Sequence, residues 1–119
     1  MGKFVIKNTN TGPMFNLLAA NGQIVCTSQV YSSVSACKNG IESVRNNCNV
    51  KIEDQTLQNY EPLTNPKYEI YLDKSEQYRF RLKASNGEII VASQGYSRKE
   101  SCKNGIESIA ENAPNASIE

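Results

Sequence analysis

The sequence predicts an α+β fold: a tandem duplication of a β-β-β-α unit, with two helices packed on an antiparallel sheet and the halves related by a pseudo-two-fold axis. Three observations predict it. The seven residues Cys-Lys-Asn-Gly-Ile-Glu-Ser at Cys37–Ser43 return unchanged at Cys102–Ser108, and an offset of about 65 positions matches about half of the residues of Phe15–Asn47 with Phe80–Asn112. An Asn-Gly pair between two β-patterned runs occurs twice, at Asn21-Gly22 and Asn86-Gly87. Cys37, Ile41, Val44 and Cys48 recur at helical spacing, as do Cys102, Ile106, Ile109 and Ala113. The repeat is thus defined by Asn21, Gly22, Cys37, Gly40 and Ile41 in one copy and by Asn86, Gly87, Cys102, Gly105 and Ile106 in the other.

In chain order, Lys3–Lys7 reads as a short strand with Phe4 and Ile6 on one side, followed by turn formers from Asn8 to Pro13. In Met14–Ala19, Phe15, Leu17 and Ala19 alternate with Met14, Asn16 and Leu18, the period of two of a half-buried strand. Asn21-Gly22 then predicts a type I′ hairpin, which needs positive φ at both central residues. The third strand, Gln23–Ser28, carries Ile24 and Cys26 on one face and Val25 on the other; its counterpart Glu88–Ser93 sets Ile89 and Val91 opposite Ile90 and Ala92. Apolar character on both faces predicts a strand covered on both sides or lying at the centre of the sheet.

Hydroxyl residues Ser32 and Ser33 stand where the first helix should begin, and Ser97 with Glu100 three positions later has the spacing of a capping box. Gly40 and Gly105 fall beside the apolar stripes, whereas Asn39, Glu42, Asn104 and Glu107 point away. A helical glycine costs about 1 kcal/mol against alanine, so the pair implies close approach. Either each helix lies tightly on the sheet, the preferred reading because a three-stranded meander has one apolar face to cover, or the two helices cross at their glycines. Asn49–Glu53 is echoed by Asn115–Glu119, so an extended segment after each helix would add an edge strand. The second copy opens with Lys67–Tyr71, turns at Asp73–Gln77 and continues with Tyr78, Phe80, Leu82 and Ala84 alternating with Arg79, Arg81 and Lys83.

A chain of 119 residues has the size of one domain, while each copy alone would be marginal. Residues 1–119 are therefore read as a single domain: repeat one 1–50, linker 51–66, repeat two 67–119. With 13 basic and 12 acidic residues the molecule carries no strong overall field, so binding to nucleic acid would need a local patch. No apolar run is long enough to span a membrane, and Met1–Ile6 passes to polar Lys7–Asn10 without a signal-peptide core, which predicts a cytoplasmic protein with no membrane partner. Four cysteines without a Cys-x-x-Cys pair, in a chain with no histidine, remove the usual zinc spacings, and Cys37 and Cys102 read as small buried hydrophobes. Lacking histidine and any convincing carboxylate pair, the chain is expected to have no catalytic residue, no metal and no cofactor.

Arg79, Arg81 and Lys83 form a basic stripe on the non-core side of one strand, joined by Tyr71 on its neighbour and by Arg98 and Lys99 at a helix start. Cations interleaved with an aromatic can hold phosphates and stack bases. Against this, exposed strands commonly carry Lys and Arg, and the equivalent positions of the first copy are Asn16 and Leu18. Leu18, Val25, Ile90 and Tyr71 make the outer face apolar enough for a protein or dimer contact, unless the other repeat covers it. Ser28-Gln29 with Tyr31-Ser32, and Ser93-Gln94 with Tyr96-Ser97, could hold a small polar ligand at a helix start or simply satisfy the turn. These residues point to a non-enzymatic interaction module with a protein partner, monomeric or weakly homodimeric; the alternative is weak nucleic-acid binding through the second copy.

The run Phe80–Ile90 (Phe-Arg-Leu-Lys-Ala-Ser-Asn-Gly-Glu-Ile-Ile), followed by Ser93-Gln94-Gly95-Tyr96 and the repeated heptapeptide, resembles the YegP-like family of small bacterial and archaeal proteins across nearly the whole chain. The resemblance implies a repeat of three strands and a helix, present twice in one chain or once in shorter members that pair. It implies no catalytic or ligand residues, since the family is a domain of unknown function. The first copy departs from the pattern at Asn16, Leu18, Val30 and Ser35, which argues against a two-fold symmetrical site.

Overall fold

The computed structural model describes residues 2–119. Its elements are β1 (Lys3–Thr9), β2 (Gly12–Leu18), β3 (Ile24–Ser28), α1 (Val34–Asn47), β4 (Ile52–Asp54), β5 (Lys67–Leu72), β6 (Tyr78–Lys83), β7 (Ile89–Ala92), α2 (Lys99–Asn112), a 3-10 turn (Ala113–Asn115) and β8 (Ser117–Ile118). Eight strands form one sheet in the order β4-β5-β6-β7-β3-β2-β1-β8. The two strands with apolar residues on both faces, β3 and β7, are the central pair, joined antiparallel through Thr27↔Ala92 and Ser28↔Val91.

Each helix is followed by an edge strand, as the echoed segments suggest, and each edge strand crosses to the other copy. β4 follows α1 but pairs parallel with β5, and β8 follows α2 but pairs parallel with β1. β4 falls within the stretch read as linker. Exchange of terminal strands leaves both sheet edges only two or three residues long, which gives little template for pairing with another chain.

Both Asn-Gly hairpins form, but not with the expected turn. Gly22 N donates to Ala19 O and Ala19 N to Gln23 O, with positive φ at Gly22 alone; Ala84, Gly87 and Glu88 repeat this geometry. This is a type I turn closed by a left-handed residue, in which the asparagine needs no positive φ. Asn21 and Asn86 instead use their side-chain oxygens to accept from Gln23 N and Glu88 N, each at 3.0 Å. The Asp73–Gln77 turn is built the same way, with Glu76 at φ 63° in the glycine position.

A second correction concerns β3 and β7. The ladder jumps between Leu17 and Leu18 and between Leu82 and Lys83, the mark of a β-bulge. The extra residue turns Val25 and Ile90 into the interior beside Cys26 and Val91, while Ile24 and Ile89 stay exposed. Val25 and Ile90 therefore do not contribute to an outer apolar face.

The register places Phe4, Phe15, Leu17, Cys26, Phe80 and Leu82 on one side of the sheet, and the two helices bury their stripes against it. α1 contacts β2 and β7, and α2 contacts β6 and β3, so each helix spans both copies and the core is shared. The glycines serve helix-on-sheet packing. A Cβ on Gly40 would collide with the Tyr31 hydroxyl and lie 3.2 Å from Phe15, and one on Gly105 would lie 2.8 Å from the Tyr96 hydroxyl and 2.9 Å from Phe80. The capping-box expectation fails. Ser33 caps α1, accepting from Ala36 N at 3.1 Å, whereas α2 begins after Arg98 with no side-chain cap; Ser97 lies one residue too early.

Candidate functional site

The face opposite the helices is crossed by one row of strand partners: Glu53, Glu69, Arg81, Ala92, Thr27, Asn16 and Val5. Strand alternation puts Arg79 and Lys83 on the same face as Arg81, with Tyr71 opposite Arg79 and Lys67 opposite Lys83. The four candidate residues are thus brought together, and the Arg81 guanidinium lies 4.4 Å from the centre of the Tyr71 ring. Arg98 sits apart at the start of α2, paired with Glu100, and Lys99 reaches Asp54 at 2.9 Å.

The stripe is not a free cationic surface. Glu69 receives Arg81 Nε at 2.6 Å, Lys67 Nζ at 3.1 Å and Lys83 Nζ at 3.4 Å. Lys67 also meets Glu53 at 2.6 Å, and Arg79 Nε meets Asp73 at 2.6 Å. Glu53 and Glu69 are both only 3% exposed despite lying on the face without helices. The segment after β4 folds back here, since Leu63 N and the Gln55 amide each donate to Glu53 at 2.6 Å. Burial alone would raise the Glu53 pKa, but the bonds from Gln55, Lys67 and Leu63 outweigh it and hold the carboxyl at about 2. Glu69 is likewise held below the usual range, burial opposing and Arg81 and Lys67 prevailing, while the Glu53 bond raises Lys67. Asp73 is lowered chiefly by Arg79.

Glu53, Lys67, Glu69 and Asp73 are the residues that reading the sequence alone passes over. Glu69 was within reach: alternation in Lys67–Tyr71 puts Lys67, Glu69 and Tyr71 on one face, and the Asp73–Gln77 turn sets them against Lys83, Arg81 and Arg79. Glu53 was not, because its pairing depends on β4 crossing to the other copy.

The remaining groups serve the fold. Ser28 Oγ accepts from Phe15 N and donates to Gln29 O, and Ser93 Oγ does the same with Phe80 N and Gln94 O, so these junction hydroxyls are spent on the backbone of the neighbouring strand and of the junction itself. Cys26, Cys37, Cys48 and Cys102 are buried free thiols; burial pushes Cys26 up to about 12 and Cys102 to about 11, keeping both protonated and poor nucleophiles at neutral pH. No group of metal-ligating side chains comes together among the described residues, and no helix is long and apolar enough to cross a membrane.

A family model described as a domain of unknown function (DUF1508) matches residues 8–54 and again residues 73–119. A UPF0339 protein of Pasteurella multocida is 37% identical over 99% of this chain and 92% of its own length, and the UPF0339 protein YegP of Yersinia pestis is 38% identical over 94% and 88%. A UPF0339 protein of Methanosarcina acetivorans is 60% identical over 52 residues that make up 90% of its own length, so that relative is little longer than one copy. The solution NMR structure of a Shewanella oneidensis UPF0339 protein superposes with a TM-score of 0.81 at 31% identity, covering 99% of this chain and 89% of that one. YegP of E. coli, a protein of unknown function, superposes with a TM-score of 0.80 at 29% identity, covering 99% and 90%. With two matched segments, full-length relatives and the same fold, the chain belongs to the DUF1508 family of UPF0339 proteins that includes YegP.

Proposed function

We propose that the protein is a non-enzymatic interaction module of the cytoplasm, a monomer or weak homodimer that receives a protein partner on the sheet face opposite the helices. The reading takes residues 1–119 as one domain of two β-β-β-α copies about a pseudo-two-fold axis near the Thr27–Ala92 pair. One observation carries it: both helices lie on one face of the sheet, leaving Val5, Met14, Leu18, Thr27 and Ala92 half-buried on the other, continuous with Tyr71 and Arg81. A face with a neutral half and an ion-paired half suits a protein surface better than a phosphate backbone, because four cations meet three carboxylates there and little charge remains to displace counterions.

The test is capture from native lysate on the immobilised protein, with and without nuclease, comparing wild type with Leu18→Lys and Tyr71→Ala on the proposed face and Lys103→Glu on the helix side. A partner that survives nuclease, is lost with the two face variants and is kept with Lys103→Glu supports the reading. Retention unaffected by the face variants refutes it. Retention that vanishes with nuclease and with rising salt would transfer the function to nucleic acid held by Arg79, Arg81, Lys83 and Tyr71.

A further inference from the structure

We infer that the groove between α1 and the β6–β7 hairpin is a binding site for an ammonium group carried on an aliphatic stem. The groove, about 190 Å³, has Asn39 and Gly40 on the helix side, Asn86, Glu88 and Ile89 on the hairpin side, and Tyr31 completing the wall. It lies on the helix side of the sheet and does not depend on the face proposed above.

Glu88 is the only formal charge in the lining. Its carboxylate is exposed and enters no ion pair or side-chain hydrogen bond among the described residues, so within this groove it is open to a ligand. Around it stand neutral groups with acceptor oxygens: the Asn39 and Asn86 amides and the Tyr31 phenol. An ammonium brings three donors and no acceptor, which suits a carboxylate flanked by amide and phenol oxygens; an anion would meet an uncompensated like charge. Tyr31 can lie against the helix only because residue 40 is glycine, and burial pushes its phenol up, so it stays neutral. Ala36 and Ala84, both half-buried, give the groove an apolar wall beside buried Ile90, and an aliphatic stem would cover it. The residue of the first copy equivalent to Glu88 is Gln23, so the chain has one such site and not two.

The ammonium could belong to a free amine or to a lysine side chain, and the test separates them. Isotope-labelled full-length protein is titrated with 1,5-diaminopentane, with pentan-1-ol, and with a short peptide carrying one lysine between glycines, following the side-chain amides of Asn39 and Asn86 and the backbone amide of Glu88. The expected result is saturable shifts with a charged probe, none with the alcohol, and binding weakened about tenfold by Glu88→Gln, as for loss of one charge-assisted contact. Tighter binding of the peptide assigns the site to a lysine side chain, and tighter binding of the diamine to a free amine. Absence of saturable shifts, equal response to the alcohol, or unchanged binding by Glu88→Gln overturns the inference. The Glu88 side chain supports no other group, so the variant keeps the fold.

Discussion

The two copies build the same interior and opposite surfaces. Phe15, Leu17 and Cys26 of the first copy correspond to Phe80, Leu82 and Val91 of the second, all buried. On the face without helices the row reads Val5, Asn16, Thr27 in the first copy and Glu69, Arg81, Ala92 in the second. Where the second copy pairs Arg81 with Glu69 at 2.6 Å, the first has only the Thr27 hydroxyl donating to Asn16 Oδ1 at 2.8 Å. The fold needs the same shapes on the helix side, where packing is dense, and tolerates either chemistry on the other side provided each buried polar atom finds a partner.

Removing the polar centre of each copy should break this comparison most strongly. Glu69→Ala leaves Arg81 and Lys83 without their carboxylate and Lys67 with Glu53 alone, and should cost about 3 kcal/mol, the low end for breaking a buried pair because Arg81 and Lys83 can turn towards solvent. Asn16→Ala, which removes one neutral bond, should cost about 1 kcal/mol. Denaturant unfolding of both variants measures the difference; equal costs would mean that the network contributes no more than the single bond.

Acid should separate the copies next. Glu53, Asp54, Glu69 and Asp73 are held below their ordinary values and all lie in β4, β5 or the turn after it. A carboxylate depressed in the folded state stabilises above its unfolded pKa, and that contribution disappears as pH falls through the folded pKa. For Glu53 the window runs from its ordinary 4.5 down to about 2. Hydrogen exchange across that window should therefore show β4, β5 and β6 losing protection before β1 and β2. Simultaneous loss would show that the shared core unfolds as one unit at every pH.

The helix ends differ more subtly. The carbonyls that close α2 and the 3-10 turn after it are held by Arg45 of the other helix, whose Nε reaches Ala113 O at 3.3 Å and whose Nη2 donates to Ala116 O. The equivalent of Arg45 in the second copy is Ala110, and the carbonyl closing α1, Cys48 O, is satisfied instead by the Tyr68 hydroxyl at 2.9 Å, where the first copy has Phe4. Arg45→Ala and Tyr68→Phe should each cost about 1–2 kcal/mol by orphaning Ala116 O and Cys48 O respectively, Ala113 O keeping its bond from Ala116 N. Exchange at Ile6 N and Glu119 N, which hold β8 to β1, should rise with Arg45→Ala and not with Tyr68→Phe.

How much of this could be read beforehand follows the range of the interactions. The helix stripes, the hairpin positions and the apolar runs of β3 and β7 depend on neighbours within a few residues, and the repetition of Cys37–Ser43 and Asn21-Gly22 doubled each signal. The gathering of Arg79, Arg81, Lys83 and Tyr71 on one face also follows from local alternation. The bulge that turns Val25 and Ile90 inward, the crossing of β4 and β8 between copies and the burial of Glu53 depend on pairings between distant segments, for which the sequence carries no periodic signal. Hence a stripe that reads as free cation is, in the fold, largely neutralised.

The smallest effect concerns the helix starts, where the copies should be interconvertible. Ser33 and Arg98 occupy equivalent positions with similar extended backbones, φ −153° and −128°, yet only Ser33 caps its helix. Ser33→Ala should cost about 1 kcal/mol. Arg98→Ser should stabilise by up to about the same amount, because a serine there would face Ser101 N as Ser33 faces Ala36 N, while the Arg98–Glu100 pair it removes is exposed and contributes little. Thermal unfolding of the two variants and the double variant checks this: gain and loss should nearly cancel in the double variant, since the two helix starts share no partner. If Arg98→Ser also destabilises, the arginine has a role at the start of α2 that its exposed pair with Glu100 does not explain.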